Sequence, residues 1–367
     1  MNLKIERKSM SELITFKQYG KQQNWVDGKV YGPSSEKNIS VISPYYDKEI
    51  AVISDSNAED LNQAVINAKN VFPDWAATNI RDRAEVMYNL KSIMKNDIEQ
   101  LAHLVALDNG KTIADAKGSI LRGMEVIEFA ISLPNLLKGD SSNVSQGITC
   151  TMTNEPLGIV GGITPFNFPI MVPLWMIPTA ITTGNCFILK PSEQTPLAAL
   201  KLAEYFKEAG LPDGVLNVVN GSREVVESMC DHPDIKAVAF VGSTKVAKIV
   251  YARATANGKR ALCLGGAKNH MIVVPDADQD STAKGLLASS MGSAGQRCMA
   301  ASVAVCVSEV DPIIDQLVEE AKGFKLGIDM GTIVSKDAYN RILNYINEAE
   351  EMGATILVDG RNETPPK

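Results

Sequence analysis

Histidine is scarce in this sequence, and its scarcity limits the available chemistry. The 367 residues include only His103, His232 and His270, and no two of them lie at the spacing of metal ligands. The six cysteines form no C-x-x-C pair, and residues 1–19 carry no charged segment followed by an apolar one. We therefore expect no metal centre and a reducing, cytoplasmic location.

Excess positive charge and an uninterrupted membrane span are also missing. The formal net charge is −7, which argues against a nucleic-acid partner. Residues 156–189 contain no charged side chain and are long enough to cross a bilayer, but five prolines interrupt them. This segment is instead predicted to form a buried strand, a tight turn, a proline-led helix and a second buried strand, with no membrane partner.

The composition is that of an ordinary globular protein, with 45% hydrophobic and 22% charged residues and enough length for two domains. The first part is predicted to be helical. Ser56-Asn57-Ala58-Glu59 has the form of a capping box that begins at Ser56. Four apolar residues then recur at helical spacing: Leu61, Val65, Ala68 and Phe72.

Residues 139–154 differ in composition from the segments on either side. A polar stretch around Ser141-Ser142-Asn143 precedes a β-rich run at residues 148–153. This pattern predicts a protruding hairpin arm of the kind used for oligomerisation. An ordinary edge strand is the alternative.

Short apolar runs then alternate with helical stretches. The runs lie at residues 158–163, 187–190, 215–219 and 237–241. Buried strands joined by helices predict a parallel, doubly wound sheet. The pattern restarts near Cys263 with runs at 271–274, 302–307 and 355–358, which predicts a second, smaller α/β domain.

One cysteine stands in a context that favours reactivity. Gly295-Gln296-Arg297-Cys298 places Cys298 beside an arginine and after a glycine-rich approach, and a positive neighbour favours the thiolate. The other five cysteines are interpreted as small buried hydrophobes. Cys230 is one of them, and four lie in apolar or β-like contexts: Cys150, Cys186, Cys263 and Cys306. Cys298 is therefore the candidate nucleophile.

A nucleotide site is indicated although no G-x-G-x-x-G occurs. Lys190 and Glu193 follow a predicted buried strand, where open α/β sheets bind ligands. Gly242-Ser243 ends another strand and begins a helix, whose free N–H groups suit pyrophosphate. A solvated loop and an N-cap without ligand are the respective alternatives.

Asn167 is a polar residue inside the most apolar part of the chain. A buried amide needs hydrogen-bond partners, and a structural turn would supply them. The functional alternative is an oxyanion donor, an uncharged N–H directed at a developing alkoxide.

Five segments, taken in order and spacing, carry a family resemblance: Pro165-Phe166-Asn167-Phe168-Pro169, Lys190-Pro191-Ser192-Glu193, Phe240-Val241-Gly242-Ser243, Leu264-Gly265-Gly266-Ala267-Lys268-Asn269 and Gly295-Gln296-Arg297-Cys298. From about residue 25 to 360 the chain resembles the aldehyde dehydrogenase superfamily. The resemblance implies a doubly wound NAD-binding domain (21–138 and 155–262), an oligomerisation hairpin (139–154) and a catalytic α/β domain (263–367), the last incomplete.

The resemblance also implies roles for single residues. Cys298 attacks the aldehyde, and Asn167 holds the oxyanion together with the Cys298 backbone N–H. Seven residues are expected to line the NAD site: Thr164, Phe166, Lys190, Glu193, Gln194, Ser243 and Gly265.

Two departures from the superfamily pattern bear on the acyl acceptor. Cys263 stands where most members have the glutamate that activates water, and Ala267 is an extra residue before Lys268. Arg122 and Arg297 are the second departure, and both departures are similar to the coenzyme A-acylating branch of methylmalonate-semialdehyde dehydrogenases. In that branch the arginines bind the malonate-type carboxylate, which leaves as bicarbonate to give propionyl- or acetyl-CoA.

Other features of the family would follow residue 367. These are a Glu-x-Phe segment that orients the nicotinamide ribose and the last strand of the oligomerisation arm. We therefore expect either a piece of a longer tetrameric enzyme or a truncated product. Two other hypotheses stay open, a hydrolytic aldehyde dehydrogenase that releases free acid and an inactive remnant.

Overall fold

The computed structural model describes residues 14–363. Residues 1–13, part of the segment predicted to lack a leader, lie outside the described residues. So do residues 364–367, at the end of the predicted second domain. The first part was predicted to be helical, but residues 20–54 form five short strands before the helices begin: β1 (Gly20–Gln22), β2 (Asn24–Val26), β3 (Lys29–Tyr31), β4 (Asn38–Ser43) and β5 (Lys48–Ser54). Strands β1, β5 and β4 form a three-stranded sheet, whereas β2 and β3 extend the main sheet.

Four helices follow in succession: α1 (Ala58–Ala77), α2 (Ile80–Asn96), α3 (Ile98–Asn109) and α4 (Ile113–Leu136). The predicted start of α1 was wrong by one residue. Asn57 caps the helix and Asp60 completes its capping box. Ser56 is not free for that role because its hydroxyl accepts a hydrogen bond from the Asn24 amide at 2.8 Å.

The predicted hairpin is present. Strands β6 (Asp140–Ser145) and β7 (Ile148–Met152) pair antiparallel, and every side chain in both is exposed. Its use in oligomerisation stays a prediction.

Within the described residues the main sheet has seven strands, four of which lie at the apolar runs predicted from the sequence. Its parallel part contains β8 (Ile159–Ile163), β9 (Cys186–Lys190), β10 (Leu216–Val218), β11 (Ile235–Val241) and β12 (Arg260–Leu264). The connecting helices are α5 (Met171–Thr182), α6 (Leu197–Glu208), α7 (Arg223–Asp231) and α8 (Thr244–Ala256).

Strand order reverses at β8. The order across the sheet is β12-β11-β8-β9-β10-β2-β3, so the chain runs outward from β8 to one side and then returns to pair β11 with its other edge. In open α/β sheets, the crevice beyond the carboxyl ends of the strands at such a reversal binds ligands. The segments after β8, β9 and β11 therefore lie around one potential binding crevice.

The last part of the chain contains β13 (Asn269–Val273), α9 (Gln279–Met291), β14 (Ala301–Cys306), α10 (Asp311–Lys322) and α11 (Lys336–Glu351). Strands β13 and β14 pair in parallel, and a separate small core forms around Val273, Leu286, Val310 and Ile313. The predicted boundary at residue 263 falls inside β12, and the domain limits stay a prediction.

The strand predicted at residues 355–358 was wrong. These residues are irregular, and the segment after them is tied back onto α11, because Arg361 donates hydrogen bonds to Asn347 and Glu350, each at 2.8 Å. None of the helices in the described residues is long and apolar enough to cross a membrane.

Candidate active site

The segment after β8 lies beside the end of β9. The Thr164 N–H donates to the Lys190 carbonyl at 3.1 Å, and the Thr164 side chain is buried. The Phe166 carbonyl accepts hydrogen bonds from Asn109 at 2.9 Å and from the Thr195 hydroxyl at 3.2 Å. Three neighbouring segments thus fix the backbone that leads to Asn167.

Lys190 places a buried ammonium at the crevice. Its side chain is only 5% exposed, and Nζ lies 2.7 Å from the Glu193 Oε2. Burial alone would raise the pKa of Glu193, but the charge and hydrogen bond of Lys190 hold it below its usual value. The pair supplies a fixed cation and a carboxylate at the carboxyl end of β9, while Gln194 is exposed in the adjoining loop.

The segments after β11 and β12 meet at the beginning of α8. Ser243 is the N-cap of α8, and the Gly242 N–H donates to the Leu264 carbonyl at 3.1 Å. Gly265 packs closely on Thr244, where an added Cβ would lie 3.1 Å from the threonine Cα. Ser243 and Gly265 are therefore neighbours at a helix N-terminus, a setting that suits an anion.

The chain approaches Cys298 through a left-handed turn. Ser293, Ala294 and Gly295 have φ values of 53°, 55° and 68°. Two consecutive non-glycine residues in this region cost free energy and persist only where surrounding contacts impose them. Backbone strain is thus concentrated immediately before the candidate nucleophile.

Hydrogen bonds hold this turn on both sides of Cys298. The Asn269 amide donates to the carbonyls of Cys298 at 2.8 Å and Ala300 at 3.0 Å. The Gln296 side chain donates to the Ser293 carbonyl at 3.1 Å and accepts from the Val334 N–H at 3.0 Å. These bonds fix the backbone around the thiol.

Asn167 contacts the nucleophile segment directly. Its Nδ2 donates to the Gln296 carbonyl at 2.9 Å, which leaves a second N–H on the same nitrogen. Its Oδ1 is buried and has no partner within the described residues. The structure thus brings Asn167 into contact with the residue two positions before Cys298, although 131 positions separate Asn167 and Cys298 in sequence.

A cavity of about 500 Å³ opens in front of Cys298. Three segments line it: α4, the region from Phe168 into α5, and the end of α9 with the nucleophile turn. The lining residues are Arg122, Glu125, Val126, Phe168, Met171, Trp175, Ser289, Arg297, Cys298 and Met299. The volume suits a small organic substrate.

Both predicted arginines line this cavity, and each has an acidic partner. Arg122 pairs with Glu125 at 2.7 Å on the exposed face of α4. The Arg297 Nη2 lies 2.8 Å from the Asp115 Oδ1 in a more buried pair. Neither partner was identified from the sequence.

Lys111 is a further group that the sequence did not reveal. It is buried, and its Nζ lies 3.7 Å from the centre of the Phe168 ring. Burial lowers the pKa of Lys111 to about 7, with Asp115 raising it and Arg297 lowering it. An amine whose pKa burial has lowered therefore lies behind the cavity wall formed by Phe168.

The prediction that the other five cysteines are buried was wrong for Cys150 and Cys306, because Cys150 lies in the exposed hairpin and Cys306 lies at the exposed end of β14. Burial raises the pKa of Cys186 to about 12 and that of Cys230 to about 11, and it also raises the pKa of Cys263. Cys298 is half-buried and lines the cavity. In the part of the chain that the structure describes, no group of three His, Cys, Asp or Glu residues could hold a metal ion.

Known proteins match nearly the whole chain. Residues 31–367 match the model of the aldehyde dehydrogenase family. A malonate-semialdehyde dehydrogenase of Oceanobacillus iheyensis is 44% identical over 354 residues, which covers 94% of this chain and 73% of the relative. A protein of the same name from Lacticaseibacillus casei is 44% identical over 349 residues, covering 93% of this chain and 71% of the relative.

Solved structures agree in fold. A methylmalonate-semialdehyde dehydrogenase of Oceanimonas doudoroffii superimposes with a TM-score of 0.92 at 41% identity, covering 95% of this chain and 73% of that one. A Sinorhizobium meliloti protein, assigned the same activity and solved in complex with NAD, superimposes with a TM-score of 0.92 at 44% identity. The match covers 95% of this chain and 72% of that one. Their fold confirms the architecture predicted for this chain.

Proposed function

The chain belongs to the aldehyde dehydrogenase family, and on this premise we propose that it oxidises malonate-type semialdehydes with NAD and transfers the acyl group to coenzyme A. The observation that supports this proposal is that the Cys298 thiol and two arginines line the same cavity. A nucleophile and two guanidinium groups at one cavity suit an aldehyde that also bears a carboxylate.

The chemistry begins with attack of the Cys298 sulfur on the aldehyde carbon. The second N–H of Asn167 and the Cys298 backbone N–H stabilise the alkoxide that forms. NAD, when bound, accepts the hydride released as this adduct becomes a thioester. The hydrogen bonds around Gln296 and Asn269 keep the thiol and the donor N–H groups in place during both steps.

The residues present fit NAD. Lys190 and Glu193 can bond the adenosine ribose, and a carboxylate at this position disfavours a 2′-phosphate. The N-terminus of α8 at Ser243, with Gly265 packed beside it, leaves room and free N–H groups for pyrophosphate. Thr164, Phe166 and Gln194 would complete the site.

Arg122 and Arg297 would bind the substrate carboxylate. A planar guanidinium can hold a carboxylate through two parallel hydrogen bonds. This contact keeps the carboxylate near the cavity wall while Cys298 reacts at the other end of the substrate. Loss of the carboxylate with one water molecule, which supplies the hydroxide of the bicarbonate and the proton of the new C–H bond, then leaves a propionyl or acetyl group on Cys298.

Coenzyme A is the proposed acceptor because the cavity offers water no free base. Cys263 occupies the position of the glutamate expected in hydrolytic members. Glu125 is the acidic residue that lines the cavity, and it is paired with Arg122. A hydrolytic enzyme would have to use Glu125 as its general base.

The remaining parts of the proposal concern organisation. Residues 21–138 and 155–262 form the NAD-binding domain, residues 263–367 the catalytic domain, and the exposed hairpin 139–154 joins subunits in a tetramer. All six cysteines are free thiols, which fits function in the cytoplasm.

Substrate preference tests the proposal. Arg122→Leu and Arg297→Leu should each raise KM for methylmalonate semialdehyde about tenfold or more and change KM for propanal much less, because a charged bidentate bond is worth about 1.5–3 kcal/mol. Arg223→Leu is the matched control, since Arg223 pairs with Glu227 on an exposed helix face outside the cavity. Equal losses on both aldehydes would contradict the carboxylate role.

A further inference from the structure

The guanidinium of Arg297 occupies the space where a side chain on residue 292 would be. A Cβ built on Gly292 would lie 2.5 Å from Cζ and 2.6 Å from Nη1 of Arg297. The backbone of Gly292 has φ −55° and ψ 137°, values that any L-residue adopts. The backbone conformation at residue 292 therefore does not require glycine. Glycine is required because the guanidinium of Arg297 fills the space of a side chain there.

Two polar groups set the orientation of the guanidinium on this surface. Nη2 donates to the Asp115 Oδ1 at 2.8 Å, and Nη1 donates to the Ala288 carbonyl at 3.2 Å. The Asp115 Oδ2 also accepts from the Ser293 N–H at 3.2 Å, so the same carboxylate fixes the left-handed turn before Cys298. Arg297 has five N–H donors, and these contacts leave the others available to the cavity that it lines.

We propose that Gly292 is a specificity-determining residue. Because Gly292 has no side chain, the guanidinium of Arg297 can pack against its Cα, and in this position the guanidinium faces a substrate carboxylate. Asp115 and the Ala288 carbonyl are the positioning groups. The proposal rests on the function proposed above, since it assumes a carboxylated aldehyde. Bidentate recognition depends on the plane of the guanidinium, so displacement by about one methyl group weakens it.

Gly292→Ala tests this inference, with Gly285→Ala as the matched control. Alanine at 292 fits the backbone and has to displace the flexible end of Arg297, so the fold is retained. Gly285 lies within α9, where an added Cβ meets nothing within 4 Å. In Gly292→Ala the ratio of kcat/KM for methylmalonate semialdehyde to kcat/KM for propanal should fall about tenfold, and in Gly285→Ala it should equal that of the original protein.

A second measurement needs no aldehyde. Iodoacetate and iodoacetamide alkylate a thiolate in the same way, with formation of a carbon–sulfur bond and departure of iodide, but only iodoacetate carries a carboxylate. The ratio of their rates at Cys298 reports how well the cations face the cavity. We expect this ratio to fall several-fold in Gly292→Ala and to be retained in Gly285→Ala.

The two measurements separate the inference from the proposed function. A fall in the alkylation ratio in a protein that oxidises neither aldehyde supports the role of Gly292 and refutes the proposed function. An unchanged alkylation ratio in Gly292→Ala, or equal loss of kcat/KM for both aldehydes, overturns the inference.

Discussion

Cys298 differs from the other five cysteines by its surroundings. It is half-buried, lines the cavity and follows a strained turn. Cys263 lies in β12, and burial raises the pKa of its thiol. A nucleophile needs an accessible thiolate, and Cys150 and Cys306 are also exposed. Both lie outside the cavity, so the position in the cavity favours Cys298.

Replacing each thiol separately tests this difference. Cys298→Ala should abolish NADH formation and leave NAD binding intact by calorimetry, because the thiol carries the chemistry and not the cofactor. Cys263→Ala is the control and should retain turnover. Comparable loss of turnover in both variants would refute the assignment.

Asp108 is a buried carboxyl outside the cavity, and we expect it to make the free energy of unfolding depend on pH. Its Oδ2 accepts from the N–H groups of Leu197 at 3.1 Å and Ala198 at 3.4 Å at the start of α6. Burial raises the pKa of Asp108 to about 8, with these two hydrogen bonds acting in the opposite direction. The carboxyl is therefore protonated in the folded protein at pH values where the unfolded chain has lost the proton.

The direction in which the free energy of unfolding changes with pH follows from this additional proton in the folded state. Between about pH 4 and pH 8 the folded state binds one more proton at Asp108 than the unfolded state, so the free energy of unfolding falls as pH rises, by up to about 1.4 kcal/mol per pH unit. Asp108→Asn should remove this slope. Urea unfolding at a series of pH values measures it, and equal slopes in variant and original would refute the prediction.

Sequence patterns indicated candidate residues that the structure brings together, but they did not indicate the partners of those residues. Cys298, Asn167 and the two arginines stand in recognisable segments, whereas the pair between Arg297 and Asp115 joins residues 182 positions apart. Lys111 could not be found, because its interest comes from burial beneath Phe168 and not from its neighbours in sequence. Contacts of this kind depend on the tertiary fold.

At the scale of elements, apolar runs predicted four strands of the main sheet but not the five strands within residues 20–54. Tertiary contacts explain other differences. The cap of α1 moved to Asn57 because Asn24, 32 positions from Ser56, uses the serine hydroxyl. Residues 355–358 have the composition of a strand but form none in the described structure, since Arg361 ties the following segment to α11. A strand requires a partner that composition alone does not supply.

The hairpin arm carries a prediction of its own. Val144 and Ile148 are more than half exposed on two strands whose side chains are all exposed, an arrangement that suits contact with another subunit. Val144→Lys combined with Ile148→Lys should reduce the molar mass measured by light scattering, because charged side chains oppose burial at an interface.

Val30→Lys is the control for this change, since Val30 is equally exposed on β3 outside the hairpin. It should leave the molar mass unaltered. A hairpin variant with the same molar mass as the original protein would exclude the arm from the interface.

At the scale of the whole molecule, the fold brings sequence-distant regions together at one crevice. The reversal of strand order at β8 collects the segments after β8, β9 and β11, and the nucleophile turn from the last part of the chain meets Asn167 there. The alternation of strands and helices was sufficient to predict the doubly wound sheet. The strand order, by contrast, depends on packing between elements.

The acyl acceptor is the central claim for the molecule as a whole. Under the proposed function, Cys263 takes the position of the expected glutamate and Glu125 is paired with Arg122. We therefore expect water attack on the thioester to lack a general base, an effect of about 10²–10⁴-fold in rate. The thioester should therefore accumulate until a thiol removes it.

The most direct test is rapid-mixing measurement of NADH formation with and without coenzyme A. Without coenzyme A, we expect one burst of NADH equal to the concentration of active sites, followed by very slow turnover. Addition of coenzyme A should restore steady turnover with propionyl-CoA as the product from methylmalonate semialdehyde. A steady-state rate that is independent of coenzyme A, with free acid as the product, would contradict the account.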